Sequence, residues 1–358
     1  MASTNVLGAR TRGRDNAFDV LRLLGAALVL VSHSFALAGD AEPRLGDHSL
    51  GVIGVEIFFA ISGFLVTASW LSEPRVRAFL VKRALRILPA LVVTVVLSAF
   101  VLGPLLSTLS TGEYLRDARP YTYVIDNVGA VVGAGTVWDV AYTLPGVFAG
   151  LPSDAVNGSL WTLPVEVRAY LLVLVLGLVG LLAKRLWIVA ALGLLALAPG
   201  ASESTLLLVV FLVSALMYVK RDSIPLDGRL ALAALLVWLI AMWAPHAQPL
   251  VAIAAPYVVL YAAYRAPAGV RTITRRGDVS YGLYLLAFPV QQLLLELLGA
   301  GTSPYLLTLI ALPVTYALAT LSWRLVERPA LRLKSMLAGP RQEAPARRPE
   351  PQPTPVLP

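Results

Sequence analysis

The stretch from Phe18 to Leu65 reads FDVLRLLGAALVLVSHSFALAG (18–39), a short polar spacer, then GVIGVEIFFAISGFL (51–65). Two apolar segments, each long enough to cross a bilayer as a helix, therefore face each other across a turn. Each carries groups that lipid rejects: Arg22 and His33 on the first, Glu56 on the second. An ionisable side chain inside a membrane is costly unless it is paired or faces a cavity, so these positions mark a candidate functional site.

The composition agrees with a membrane setting. Of 358 residues 58% are hydrophobic and 14% charged, with apolar runs spread along the whole chain. The expectation is an all-α, polytopic helical bundle. The net charge of +8 is read through its distribution and not as a sign of nucleic-acid binding. Cysteine is absent, which removes disulfides, thiolate metal sites and a Cys nucleophile. Three His with no HExxH-like pattern give no metal site.

Ten apolar runs read as spans: 17–39, 51–71, 79–103, 160–182, 186–199, 204–219, 229–244, 248–264, 279–298 and 304–323. With both termini cytoplasmic, all of the 29 Lys and Arg except Arg44, Arg116, Arg119 and Arg168 fall on the inner side or in the tails, as the positive-inside rule requires. The location expected is the cell (inner or plasma) membrane, crossed many times. The first run could imitate a cleaved leader, with Arg10–Arg14 as its basic region and Ala36-Leu37-Ala38 as a cleavage site. A dispensable leader has no reason to carry Asp19, Arg22 and His33, so the segment is read as a retained helix. Residues 1–16 are expected to be a mobile cytoplasmic tail, 17–335 the membrane domain, and 336–358 a Pro-rich disordered tail.

One long loop, residues 104–158, holds Tyr114, Tyr121, Tyr123, Trp138 and Tyr142 with several carboxylates. Those side chains suit a sugar-binding shelf as well as an interfacial aromatic belt, and both readings stand.

Depth connects the buried charges. His33 lies six residues inside the end of the first run, Glu56 five residues inside the second, and Glu166 seven residues beyond Ser159 in SLWTLPVEVRAY (159–170). At ~1.5 Å rise per residue these place one imidazole and two carboxylates at about the same level, roughly 8–10 Å below the outer surface. A neutral His acts as a general base when a carboxylate fixes its second ring nitrogen. Helix-to-helix hydrogen bonding is the plainer use of the same groups. Toward the inner face, Arg83 and Arg86 share one face of the third run and can grip one polyanion. Arg22 stands roughly 16 Å from His33 along its helix. An anion site inside and an acid/base group outside suggest group transfer across the bilayer. The competing class is a transporter of a glycosylated or anionic lipid, which usually shows paired repeats; none is visible here.

These residues resemble the acyltransferase-3 family of bacterial integral-membrane O-acyltransferases, which act on O-antigen, peptidoglycan or macrolides. Arg22 and His33, with ten residues between, are similar to its Arg-x10-His. GVEIFFAISGFL (54–65), Arg83 to Pro89, SLWTLPVE (159–166), SYGLYLLAFPV (280–290) and Glu327-Arg328-Pro329 resemble its further motifs in the same order, over about 17–335. Two departures stand out: Glu56 where Asp is common, and Ala287 where many members carry His.

The resemblance implies transfer of an acyl group, such as acetyl, from acyl-CoA to a hydroxyl of a carbohydrate, glycolipid or glycosylated natural product. It implies His33 as general base oriented by Glu166 or Glu56, and Arg22, Arg83 and Arg86 as ligands of the coenzyme A phosphates. No permanently bound cofactor is expected. Direct transfer and an acyl-histidine intermediate both remain open. His48 and His246 are read as loop residues tolerant of Ala.

Overall fold

The computed structural model describes residues 6–11, 16–132, 140–198, 201–272 and 277–337. Helices occupy all ten stretches read as spans: α1 (Phe18–Leu37), α2 (Leu50–Ser72), α3 (Val76–Leu97), α4 (Thr162–Leu178), α5 (Leu186–Ala196), α6 (Glu203–Val219), α7 (Gly228–Ala241), α8 (Gln248–Arg265), α9 (Ser280–Leu298) and α10 (Pro304–Ser322). Six of these segments are long and apolar enough to cross a membrane: α1, α2, α3 carried on to Leu106, α4 with its preceding 3-10 turn, α9, and α10 carried on to Arg332. The other four are shorter or less apolar. Starts follow local chemistry: Ser49 accepts the Val52 N–H at 3.3 Å, Asp227 the Arg229 and Leu230 N–H groups, and Ser303 the Leu306 N–H, each satisfying donors that a helix end leaves free.

α2 is the central staff. It packs on α1 on one side and on α6 on the other. Both contacts are made backbone to backbone through glycine. A Cβ on Gly54 would stand 2.4 Å from the Gly25 carbonyl oxygen, and one on Gly63 would stand 2.2 Å from that of Phe211. Small residues that let helices approach this closely are the main packing device inside membranes. Gly54→Val is therefore expected to push α1 from α2 and lower the accumulation of folded protein. Fluorescence-detected size exclusion in mild detergent reads this, and a monodisperse peak of normal height would contradict it.

Between α1 and α2 the chain makes a hairpin, β1 (Arg44–Leu45) against antiparallel β2 (His48–Ser49). Its turn uses Gly46 at φ +58°, pressed on the Met242 carbonyl at the end of α7, where any side chain would collide. The hairpin thus folds down into the bundle. In consequence Gly51, at the start of α2, already lies against Ser32, whose Oγ would be 3.1 Å from a Cβ there.

Two expectations change at the periphery. Val6–Thr11 are not a free tail: Leu7 is buried, and Leu7 and Gly8 donate their N–H groups to the Ile224 and Arg221 carbonyls at 2.9 and 2.8 Å. The long loop is helical over Thr111–Arg116 and Arg119–Val132. Tyr114 and Tyr123 are core residues there, the former donating to the Ala99 carbonyl at 2.8 Å, whereas Tyr121 and Tyr142 are exposed. The rings of Tyr114 and Tyr123 are claimed by packing, so no shelf of five aromatics forms. Trp138 and the C-terminal stretch 338–358 lie outside the described residues.

Candidate active site

A cavity of about 310 Å³ opens among α1, α2, α3, α4 and α9. Arg22, Lys82, Arg83, Arg86 and Lys334 line it against the carboxylates of Glu166 and Asp278. The three arginines singled out from sequence are therefore brought together, and Glu166 with them.

Their partners differ. Arg22 and Arg86 converge on one oxygen: Arg22 Nη1 reaches Asp278 Oδ2 at 3.3 Å and Arg86 Nη2 reaches it at 2.5 Å. Asp278 stands just before α9 and also accepts from the Ser280 N–H at 3.1 Å and from its hydroxyl. Burial opposes its charge, but Arg86 and Arg22 outweigh burial and hold the carboxyl well below the usual range. Arg86 lies in addition 4.0 Å from Glu327 and over the ring of Tyr281. Lys82 is paired with Glu73. Arg83 is the exception. Among the described residues it has no carboxylate within ion-pair distance, its Nε is buried without a hydrogen-bond partner, and its guanidinium sits 5.5 Å from the centre of the Tyr170 ring.

The carboxylates do not share one stratum with His33. Glu166 accepts from the Tyr170 hydroxyl, one turn along α4, and from Ser62 Oγ at 3.4 Å. Both ties hold it in the arginine cavity. Glu56 accepts from His48 Nδ1 at 3.0 Å and from Trp238 Nε1 at 3.3 Å. Because Gly51 packs beside Ser32, Glu56 lies about 7 Å farther along the bundle than the start of α2. Equal counting from loop ends failed because the hairpin enters the bundle and does not cap it. Neither carboxylate is hydrogen-bonded to His33.

His48 is consequently not a tolerant loop residue. It is buried, and burial opposes its charge, yet the hydrogen bond and charge of Glu56, helped by Asp47 and Glu203, raise its pKa above the ordinary value. A raised folded-state pKa adds stability that is complete below the unfolded value of about 6.5 and disappears as pH climbs through the folded value. Thermal stability in detergent should therefore decline from pH 6 into the alkaline range, and the His48-dependent part of that slope should vanish in His48→Gln. His48→Ala strands Glu56 in the interior and should cost on the order of 3–5 kcal/mol. Unchanged melting of His48→Ala would contradict this pairing.

His33 itself is half-buried on α1, edge-on to Phe288 of α9 with ring centres 5.2 Å apart. Its Nδ1 has no hydrogen-bond partner among the described residues. The charge of Glu42 acts on the imidazole, and Glu42 accepts from the hydroxyl of Ser32, the residue before His33, at 2.5 Å. The cavity reaches outward to Phe58, Thr162 and Tyr284. Tyr284 is fixed there by the Thr162 hydroxyl at 2.6 Å and the Ser159 carbonyl at 2.8 Å, and packs edge-on to Phe58. Phe288 is one helical turn beyond Tyr284, so His33 stands about 6 Å past the end of the cavity.

Sequence reasoning missed Asp278, Tyr170, Tyr284 and Glu42. Tyr170 was findable, four residues after Glu166 on the same helix face. Asp278, just ahead of the SYGLY stretch, gave a signal as a charge at a span end but no hint of its partners.

The acyltransferase-3 family model, described as an acyltransferase domain, matches residues 15–324. An O-acetyl transferase of Shigella phage Sf6 is 32% identical over 332 residues, covering 88% of this chain and 96% of that protein. Nodulation protein 10 of Rhizobium leguminosarum bv. viciae is 32% identical over 369 residues, covering 92% of this chain and 96% of that protein. No solved structure matches significantly. Transport, the other class the buried charges allow, finds no support in these relatives.

Proposed function

The chain belongs to the acyltransferase-3 family and is a membrane O-acyltransferase; from that premise we propose that it takes its acyl group, such as acetyl, from acyl-CoA and passes it to a hydroxyl of a carbohydrate or glycosylated molecule across the cell membrane. The observation that carries the donor is Arg83. Its guanidinium lines the cavity with Nε buried and unbonded and, unlike those of Arg22 and Arg86, has no carboxylate within ion-pair distance among the described residues, so it suits an incoming anion. The phosphates of coenzyme A meet that requirement. Arg83 binds them, with Arg86 and Arg22 held alongside by Asp278, and the thioester arm runs from there toward Tyr284. In this reading the chain crosses the membrane ten times, with both termini and the arginine cavity on the cytoplasmic side.

Chemistry takes place at His33. Its free ring nitrogen removes the proton of the acceptor hydroxyl; the oxygen forms a bond to the thioester carbonyl carbon, the C–S bond breaks, and the coenzyme A thiolate leaves and is protonated. In the two-step variant the same nitrogen attacks the thioester first and expels the coenzyme A thiolate; the acceptor oxygen then takes the acyl group, the N–C bond breaks, and the hydroxyl proton goes to the freed imidazole. Glu42 is the carboxylate whose charge reaches this imidazole, whereas Glu166, tied to Tyr170 beside Arg83, works at the donor end.

Mass spectrometry of cell-envelope glycans and secreted metabolites from a deletion strain and its parent tests the reading. Loss of O-acyl groups from one class of glycan or glycoside in the deletion strain is expected. Identical acylation profiles would oppose it.

A further inference from the structure

The outward end of the cavity carries two hydroxyl groups, those of Thr162 on α4 and Tyr284 on α9, and they share a single carbonyl. Tyr284 Oη donates to the Ser159 carbonyl at 2.8 Å, and Thr162 Oγ1 reaches that same oxygen at 3.4 Å. The two hydroxyl oxygens are 2.6 Å apart. Each hydroxyl has one O–H, which rotates to whichever acceptor is within reach. Two donors therefore serve one carbonyl. One O–H keeps the Ser159 oxygen satisfied, and the other is used only in the bond between the hydroxyls. That second O–H can turn into the cavity without stranding a buried acceptor. Both side chains are buried, and their neighbours at this end are Val55, Phe58 and Leu163.

A link between α4 and α9 needs one such bond, and the second donor is left over. The cationic groups stand elsewhere. Asp278, which holds Arg22 and Arg86, is six residues and about 9 Å back along α9 from Tyr284. Tyr170, whose ring Arg83 covers, is eight residues and about 12 Å along α4 from Thr162. Glu166 lies one turn in from Thr162 and is tied to Tyr170 and Ser62. Negative charge that builds up at the outward end thus gains little from the guanidinium groups. A fixed hydroxyl donor in apolar surroundings acts more strongly there than it would in water.

We propose that Thr162 and Tyr284 together supply the oxyanion donor of acyl transfer. The proposal rests on the reading of this cavity as the site of the acyl-CoA thioester. When the nucleophile, acceptor oxygen or His33 nitrogen, bonds to the thioester carbon, the π pair of the C=O bond moves onto oxygen. The spare O–H holds that oxygen while it is charged. The pair then returns, the C–S bond breaks, and the coenzyme A thiolate leaves. The hydroxyl keeps its own proton throughout.

Deleting either hydroxyl leaves the other to the Ser159 carbonyl and none for the substrate. Tyr284→Phe and Thr162→Val should therefore each lower the maximal rate of coenzyme A release from acetyl-CoA about 10²–10³-fold. KM for acetyl-CoA and melting temperature should stay near those of wild type, and Thr162→Ser should keep most of the rate. The double variant should be no slower than either single one, yet melt lower, because the carbonyl then loses both donors. Membranes of a deletion strain expressing each variant, which carry their own acceptor, give the rates. Infrared difference spectra of purified protein with acetyl-CoA isotopically labelled at the thioester carbonyl add a readout that a structural pair would not move. The carbonyl band should lie below that of free acetyl-CoA in wild type and Thr162→Ser, and return toward it in Tyr284→Phe and Thr162→Val. Full rates with lowered melting, or a band in the same place in wild type and variants, would make the pair a helix link and overturn the proposal. Wild type that binds no acetyl-CoA would bring down the donor reading and this proposal with it, so the two failures are told apart.

Discussion

His33→Ala removes acyl transfer and leaves a protein that still inserts and accumulates. A positioned general base contributes about 10²–10⁴-fold to rate, and an acyl-histidine pathway would lose everything. The structure separates this loss from misfolding. His33 Nδ1 makes no hydrogen bond among the described residues, and the ring's recorded contact is with Phe288, so truncation leaves no buried group stranded. Replacing an imidazole with a methyl group also makes α1 easier to insert. Acetyl transfer by membranes, set beside the melting temperature of the purified variant, checks both halves. Normal turnover by a well-folded His33→Ala would take His33 out of the mechanism.

The second large effect belongs to Arg83. A hydrogen bond to a charged group contributes about 1.5–3 kcal/mol, so Arg83→Ala should raise KM for acyl-CoA on the order of tenfold to a hundredfold, with little change in melting. Arg83→Lys should recover part of it, because a point charge lacks the planar fork. Arg86→Ala is expected to look different. It strips Asp278 of its closer partner and leaves Glu327 facing it, so stability falls together with affinity. Equal melting losses for the two variants would show that Arg83 too is structural.

The helices could be read from sequence because hydropathy and charge report directly on what lipid accepts, and all ten stretches are helical. The arginine cluster was legible for a similar reason: Arg83 and Arg86 are one turn apart, and no ordinary packing needs both. The partners of His33, Glu56 and Glu166 were not legible. Depth counted from loop ends assumes that loops lie above the bundle, and Gly46 pressed on Met242 shows a hairpin folded into it. That inward fold delivers His48 to Glu56, a pairing of residues eight apart that no helical spacing announces. Asp278 escaped notice because its partners are distant in sequence, 192 residues away for Arg86.

Binding of acetyl-CoA to the purified protein, followed by titration calorimetry, tests whether the arginine cavity holds the acyl donor. The arginine cavity as donor site predicts saturable binding near one molecule per chain, weakened at least tenfold in Arg83→Ala and unchanged in His33→Ala. Equal affinity in wild type and Arg83→Ala, or no binding to folded wild type, would contradict it.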